Sequence, residues 1–296
     1  MEQVTTIPEL RRWCDSGRAA GARIGLVPTM GYLHAGHLSL AARARTENDV
    51  VVVTIFVNPL QFGPNEDLDR YPSDLAHDLR VCEEAGVDRV FTPEPAEMYP
   101  RPPLTTVHVA GLTEDLCGAA RPTHFDGVTT VVTKLFSIVG ACRAYFGRKD
   151  AQQLAVVRRM VADLDIPVDV VGCPLVREPD GLALSSRNAY LTPEERATAP
   201  VLSRALEAAG DAITAGERDA RKIRNLVEST VASEPAVELE YVELRDAHEL
   251  RPLSELDGEV LLALAARLGA TRLIDNIGIS IRGTEVDIDL GQRLAG

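Results

Sequence analysis

A parallel β-sheet covered by helices on both faces, followed by a smaller α+β unit, is the architecture this sequence predicts. Three observations carry that expectation. From residue 6 to residue 171, short β-branched runs alternate with segments of helical apolar spacing. The run 49–57 is apolar without alternation, as a parallel strand buried on both faces must be. Past residue 176 the alternation stops, and consecutive helices precede alternating strands. Strand–helix–strand crossovers make the strands parallel and put helices on both sides. The fold class is therefore α/β: a Rossmann-like doubly wound parallel sheet over residues 1–176, with a smaller C-terminal α+β domain over 177–296 closing over the site.

The elements follow in order. Residues 6–17 place Ile7, Leu10 and Trp13 near helical spacing, and 23–27 form a short strand that Pro28 to Gly31 interrupt. The alanine-rich stretch 38–47 is a helix, and 49–57 is the Val-rich strand. A helix over 73–85 ends at Gly86, and 87–91 is a strand. The Pro-rich stretch 93–103 is irregular. A helix over 127–139, a strand over 143–146, a helix over 150–164 and a strand over 168–171 complete the first domain. In the second, Thr192 caps a helix with Pro193 at its first position. Helices over 201–215 and 220–233 follow, then strands over 239–244, 260–266 and 272–277. The tail 283–296 reads as peripheral or frayed.

Composition narrows the function classes. The chain has 296 residues, 45% hydrophobic and 25% charged, which excludes disordered and collagen-like classes. No apolar run approaches the ~18–20 residues of a membrane span. The net charge is −13, from 31 Lys+Arg against 44 Asp+Glu, which argues against a general nucleic-acid binder. No basic n-region precedes an apolar stretch at the N-terminus. The five cysteines are scattered without a Cys-x-x-Cys, as reduced thiols of a cytoplasmic protein would be.

Four segments carry chemistry. The first is PTMGYLHAGHLSL at 28–40, between a strand and a helix, where an α/β sheet presents its ligand crevice. His34 and His37 flank Gly36, which allows close approach of a phosphate. The helix N-terminus behind supplies N–H donors and positive dipole, and imidazoles can donate to phosphate oxygens. The plainer alternative is two surface histidines at a helix start, which a lone His would favour; His-x-Gly-His at a strand–loop–helix junction favours a nucleotide. Zinc would need a third or fourth ligand, and none lies nearby in sequence. The second segment, with Asn58 and Gln61 around Pro59, suits hydrogen bonding to a polar substrate, or else is an Asn-Pro turn. In the third, Gly147 ends a strand before Lys149 and Asp150. Lys149 could neutralise a β- or γ-phosphate, and Asp150 could cap a helix, hold a ribose hydroxyl or hold a metal; a surface ion pair is the alternative. In the fourth, Ser185, Ser186 and Arg187 can clasp a triphosphate, or else form a Ser-rich linker.

Taken together, TMGYLHAGHLSL at 29–40, FVNPLQF at 56–62, FGRKDAQQ at 146–153 and LSSRNAYL at 184–191 closely resemble the pantothenate synthetase family. DLDRYP at 67–72 and GAARPTHFDGV at 118–128 match as well. The motifs keep the family's order over nearly the whole chain. Tyr32 stands where the family has a small residue, Ala35 where it is often acidic, and Thr123 where Gly is common. The resemblance implies condensation of pantoate with β-alanine to pantothenate, AMP and pyrophosphate, through a pantoyl adenylate. It implies ATP contacts from Met30, His34, Gly36, His37, Gly147, Lys149, Asp150, Val176, Ser185, Ser186 and Arg187. His37, Lys149, His34 and Arg187 would be catalytic; Met30, Asn58, Gln61, Phe62 and Gln153 would bind pantoate. Asp78 is the candidate Mg²⁺ ligand, Arg121 and His124 belong at the mouth of the site, and a homodimer is expected.

A nucleotidyltransferase acting on a phosphorylated alcohol shares the His-x-Gly-His segment, but needs neither an amine substrate nor the Asn58, Gln61 and Gln153 set. An aminoacyl-tRNA synthetase would need a basic surface. A nucleotide sensor would not need His37, Lys149 and Arg187, and all three are present.

Overall fold

The computed structural model describes residues 1–64 and 66–295. They divide into two compact units, Met1–Gly147 with Gln152–Cys173, and Arg148–Ala151 with Pro174–Gly296. The chain thus changes unit at Cys173 rather than at 176, and it briefly visits the second unit at 148–151.

In the first unit, β1 (Glu2–Val4), β2 (Ile24–Thr29), β3 (Val50–Ile55), β4 (Arg89–Phe91), β5 (Cys142–Gly147) and β6 (Val168–Cys173) form one sheet. The order is β1-β4-β3-β2-β5-β6, and every pairing is parallel. The Val-rich run is the inner strand β3, buried throughout its centre. Alternate residues serve opposite faces, as the two-residue period of a strand requires. Leu26, Val52, Phe91 and Phe146 pack on one side, with residues of α1 (Ile7–Ala19), α6 (His124–Val139) and α7 (Ala151–Asp163). Val27, Val51, Val53, Val90 and Tyr145 pack on the other, with α2 (Ala35–Glu47) and α3 (Leu75–Glu84). Short helices α4 (Pro95–Met98) and α5 (Cys117–Ala120) lie in the connection before α6. Order reverses at β2, which pairs with β3 on one edge and β5 on the other. The crevice of such a sheet lies outside the carboxyl ends of the strands at that reversal.

The second unit begins with β7 (Val176–Arg177) and helices α8 (Pro193–Thr198), α9 (Val201–Thr214) and α10 (Ala220–Val231). It ends with β8 (Val237–Asp246), β9 (Gly258–Leu268), β10 (Thr271–Arg282), β11 (Glu285–Asp289) and β12 (Gln292–Arg293). The order β11-β10-β9-β8 makes a four-stranded antiparallel sheet. Leu262, Leu264, Ile277 and Ile279 of its strands pack with Leu206 and Ile213 of α9 and Ile223 and Val227 of α10.

Two expectations are corrected, and one strand that the sequence reading lacked is added. The tail is not frayed: β11 pairs with β10, and β12 pairs in parallel with β7. Backbone hydrogen bonds and a Leu290 carbonyl that accepts from buried Arg177 hold it, none of which shows in local composition. Strand β1 is three residues long, too short for a period to register, and its pairing with β4 places it. Helix α2 begins at Ala35 rather than 38, because His34 caps it.

Candidate functional site

Strand β2 ends at Thr29, and the turn that follows is held from beneath. The Gly31 N–H donates to Thr29 Oγ1 at 3.2 Å. The Tyr32 and Leu33 N–H groups donate to the two carboxylate oxygens of Asp78, at 2.8 and 2.7 Å. Gly31 has φ +86, and a Cβ there would stand 3.0 Å from Asp78 Oδ2 and from Ile55 Cγ2, so glycine lets the turn close on its holder. Tyr32 next to it also takes a left-handed φ of 51. Asp78 is buried on α3; burial pushes its carboxyl above the usual range, while the two N–H groups act against that. Sequence reasoning assigned this carboxylate to Mg²⁺. In the structure each of its oxygens already serves the backbone, and among the described residues no group of three or more His, Cys, Asp or Glu is arranged to hold a metal.

The turn delivers the two histidines as a reciprocal cap. His34 Nδ1 accepts from the Gly36 N–H at 3.2 Å, and His37 Nδ1 accepts from the His34 N–H at 3.3 Å. The rings lie 4.1 Å apart between centroids. An imidazole nitrogen that accepts cannot carry the ring proton, so in each neutral ring the proton sits on Nε2. The cap therefore makes both histidines Nε2–H donors at the N-terminus of a helix, where anions are favoured.

Beyond β3, the turn Pro59–Gln61 carries the second group. Asn58 Nδ2 donates to Gln61 Oε1 and to the Gly127 carbonyl, both at 3.1 Å. Asn58 Oδ1 accepts from the Leu60 N–H at 3.4 Å and from the Tyr99 hydroxyl at 2.9 Å. The carboxamide has two protons and two lone pairs, and all four are used. Asn58, expected as a direct pantoate ligand, is thus engaged in orienting Gln61. With Oε1 accepting, the other end of the Gln61 amide is a donor. The Gln61 carbonyl accepts from His124 Nδ1 at 2.9 Å and Arg121 Nη2 at 3.3 Å, and Arg121 Nε donates to Glu66 at 2.7 Å. Burial pushes the Glu66 carboxyl up, and Arg121 more than reverses this, holding it below its usual range. Gly127 permits the close approach of α6: a Cβ there would lie 2.4 Å from the Leu60 carbonyl. Burial raises the Tyr99 hydroxyl to about 12, so it remains a proton donor. Phe62 packs edge-on to Tyr71, with centroids 5.8 Å apart, and Met30 is partly buried.

Of the paired amides on α7, Gln152 is buried and committed to the protein: it accepts from the Cys117 N–H and donates to the Leu112 and Asp115 carbonyls. Gln153, the expected pantoate residue, is partly buried beside it.

The second unit holds the other expected groups. Arg148–Asp150 form a single 3-10 turn directly after Gly147. Lys149 Nζ lies 3.6 Å from Asp150 Oδ1. Asn276, on β10, donates to the carbonyls of Lys149 and Arg148. Ser185 accepts from the Arg187 N–H at 3.3 Å and opens the 3-10 stretch Ser186–Tyr190. Asn188 Nδ2 fastens that stretch to Glu178 and the Ala183 carbonyl. The Val176 carbonyl accepts from the Leu184 N–H.

Asp78 as a loop holder, Tyr99 and Asn276 escaped sequence reasoning. The one local signal was at Asn276, where Asp275-Asn276 interrupts an apolar strand at buried positions.

Known proteins share this fold. The family model described as pantoate-beta-alanine ligase matches residues 2–278. The pantothenate synthetase of Moorella thermoacetica is 56% identical over 281 residues, 95% of this chain and 99% of that protein. The crystal structure of pantothenate synthetase from Thermus thermophilus superposes with TM-score 0.88 at 50% identity, covering 93% of this chain and 98% of that one. The pantoate-beta-alanine ligase of Francisella tularensis, complexed with beta-gamma ATP and beta-alanine, superposes with TM-score 0.74 at 34% identity, covering 93% and 97%. The chain belongs to the pantoate–β-alanine ligase family.

Proposed function

We propose that this chain condenses pantoate with β-alanine at the expense of ATP, by way of a pantoyl adenylate. The reciprocal histidine cap is the observation that carries the reading. It presents two Nε2–H donors and a helix N-terminus at the point where the parallel sheet reverses its order, in a chain whose relatives carry the activity's name. The Francisella relative's nucleotide and β-alanine support the same substrate classes here.

In the first step a pantoate carboxylate oxygen attacks the α-phosphorus of ATP and pyrophosphate leaves. In the second the β-alanine amine attacks the acyl carbon, and AMP leaves with the electron pair of the broken C–O bond. A carboxylate is a poor acyl donor, and the adenylate makes it a good one. No enzyme nucleophile is needed, so the residues act by positioning and by neutralising charge.

His34 and His37 donate to phosphate oxygens beside Gly36, and Lys149 neutralises the charge that grows at the transferring phosphate. Ser185, Ser186 and Arg187 grip the triphosphate. Gly147, Asp150 and Val176 face the nucleoside. Gln61 offers its amide N–H to pantoate with Gln153, Asn58 keeps Gln61 in that sense, and Met30 and Phe62 line the apolar wall. Mg²⁺ arrives on the phosphates of ATP, since it keeps several waters and binds through substrate phosphates with few protein ligands. A cytoplasmic homodimer is the working form we propose.

Pantoate-dependent pyrophosphate release from ATP tests this, run with and without β-alanine while pantothenate is followed by mass spectrometry. Release that needs pantoate, with amide product only when β-alanine is added, is the expected result. ATP binding without turnover of pantoate would overturn it.

A further inference from the structure

Strand β10 buries two adjacent polar side chains on its opposite faces, Asp275 and Asn276, which are 2% and 7% exposed. Burying such groups is unfavourable unless each is paired, so their partners show what they are for. Asp275 receives Arg177 through two bonds, at 2.7 and 2.9 Å. Arg177 also donates to the Leu290 carbonyl at 2.6 Å and the Gly181 carbonyl at 3.1 Å. Asn276 is locked into this network by its backbone: its N–H donates to Asp275 Oδ1 at 2.7 Å, and its carbonyl accepts from Arg177 Nη2 at 3.3 Å. Its side chain faces elsewhere. Nδ2 donates to the Lys149 carbonyl at 2.8 Å and the Arg148 carbonyl at 3.1 Å.

We propose that Asn276 is the positioning residue for Lys149: it clamps the turn that carries the lysine onto β10, with the Arg177–Asp275 pair fixing the clamp. The inference rests on the role given to Lys149 above and adds what sets its place. The clamp explains why residues 148–151 belong to the second unit although they directly follow β5 of the first. It also explains a carboxamide at this position. Two carbonyls need two donated protons from one atom, which a carboxylate, a hydroxyl or an apolar side chain does not supply. Arg148 adds a second tie, its guanidinium reaching Asp289 on β11.

A double-mutant cycle in the full-length protein tests the proposal. Single-turnover pyrophosphate release is measured for wild type, Asn276→Ala, Lys149→Ala and the double variant. A misplaced catalytic group loses on the order of 10²-fold in rate, and that is the loss expected for Asn276→Ala in the wild-type background. Because Asn276 acts through Lys149, it should have under about a threefold effect once the lysine is gone, whereas independent contributions would simply multiply. The pantoate KM should stay within about twofold, since the lysine meets phosphate. Equal losses in both backgrounds, or no loss in the wild-type background, would overturn the proposal while leaving the role of Lys149 intact. An unchanged rate in Lys149→Ala would instead remove that role and the proposal with it. If Asn276→Ala does not fold, the uncharged and similarly sized Asn276→Leu, which also lacks the two donated protons, takes its place in the same cycle with the same criteria.

Discussion

The turn after β2 is held by a carboxylate that accepts its amide protons, whereas the turn after β5 is held by a carboxamide that donates to its carbonyls. The difference follows what each turn presents. After β2 the presented groups are imidazoles, whose proton positions are set separately by the helix cap. An acidic holder is tolerable there, despite its burial, because both oxygens are occupied by N–H groups. After β5 the presented group is an ammonium. A neutral donor holds the carbonyls without placing a second negative charge beside Lys149, which already lies near Asp150. In both cases one buried side chain, far away in sequence, grips two successive peptide groups. Such holders fix the path of a turn without being visible within it.

The comparison breaks most completely if the presented groups are not catalytic. His37→Ala and Lys149→Ala should each lower single-turnover adenylate formation by about 10²–10³, the usual loss on removing one electrostatic donor at a reacting centre, with the fold kept. Near-normal rates with pantoate and ATP in either variant would refute that residue's assignment. The holder of the first turn comes next. Asp78→Ala orphans the amides of Tyr32 and Leu33, and each buried orphan costs about 1–3 kcal/mol. Urea titration should register the loss, and amide exchange at Tyr32 and Leu33 should accelerate more than at neighbouring β2 amides. A stability equal to wild type would show that the turn is not held by Asp78. Tyr99→Phe is milder. It removes one hydrogen bond to Asn58, worth about 0.5–1.5 kcal/mol, so the pantoate KM should rise by roughly 2- to 12-fold. The ATP KM should not move, and a parallel rise in both would mean that Tyr99 merely supports the fold.

Much of the molecule was legible because its signals are local. The Val-rich β3, the helical spacings and the strand–loop–helix setting of His34 and His37 are written in adjacent residues. The roles of Asp78, Tyr99 and Asn276 are not, since each depends on a partner far along the chain: Asp78 on Tyr32 and Leu33, Tyr99 on Asn58, Asn276 on Lys149. Asn58 shows the same limit from the other side. Its residue type suggested a substrate contact, and only the count of its four protein partners shows an orienting role. The tail misled for a related reason: β12 is two residues long, and its pairing with β7 reaches back over a hundred positions.

A third turn sharpens the comparison because it is held in neither way. Thr123 precedes α6 with φ 71 and ψ −11, a left-handed conformation, and its side chain makes no capping hydrogen bond. A β-branched residue is ill-suited there, and the left-handed region disfavours an L-residue by about 1–2 kcal/mol. Glycine would relieve that strain but would enlarge the conformational freedom of the unfolded chain, a loss of about 0.4–1 kcal/mol. The net expectation for Thr123→Gly is a gain of about 0.5–1 kcal/mol, which for a chain this size raises the melting temperature by about 1–3 °C in calorimetry. Arg121 and His124 flank this position and grip the Gln61 carbonyl, so a freer turn should also raise the pantoate KM slightly. A stability gain with the KM unchanged would show that the grip on Gln61 survives without a rigid turn. A loss of stability would mean that Thr123 is held by contacts that outweigh its backbone strain.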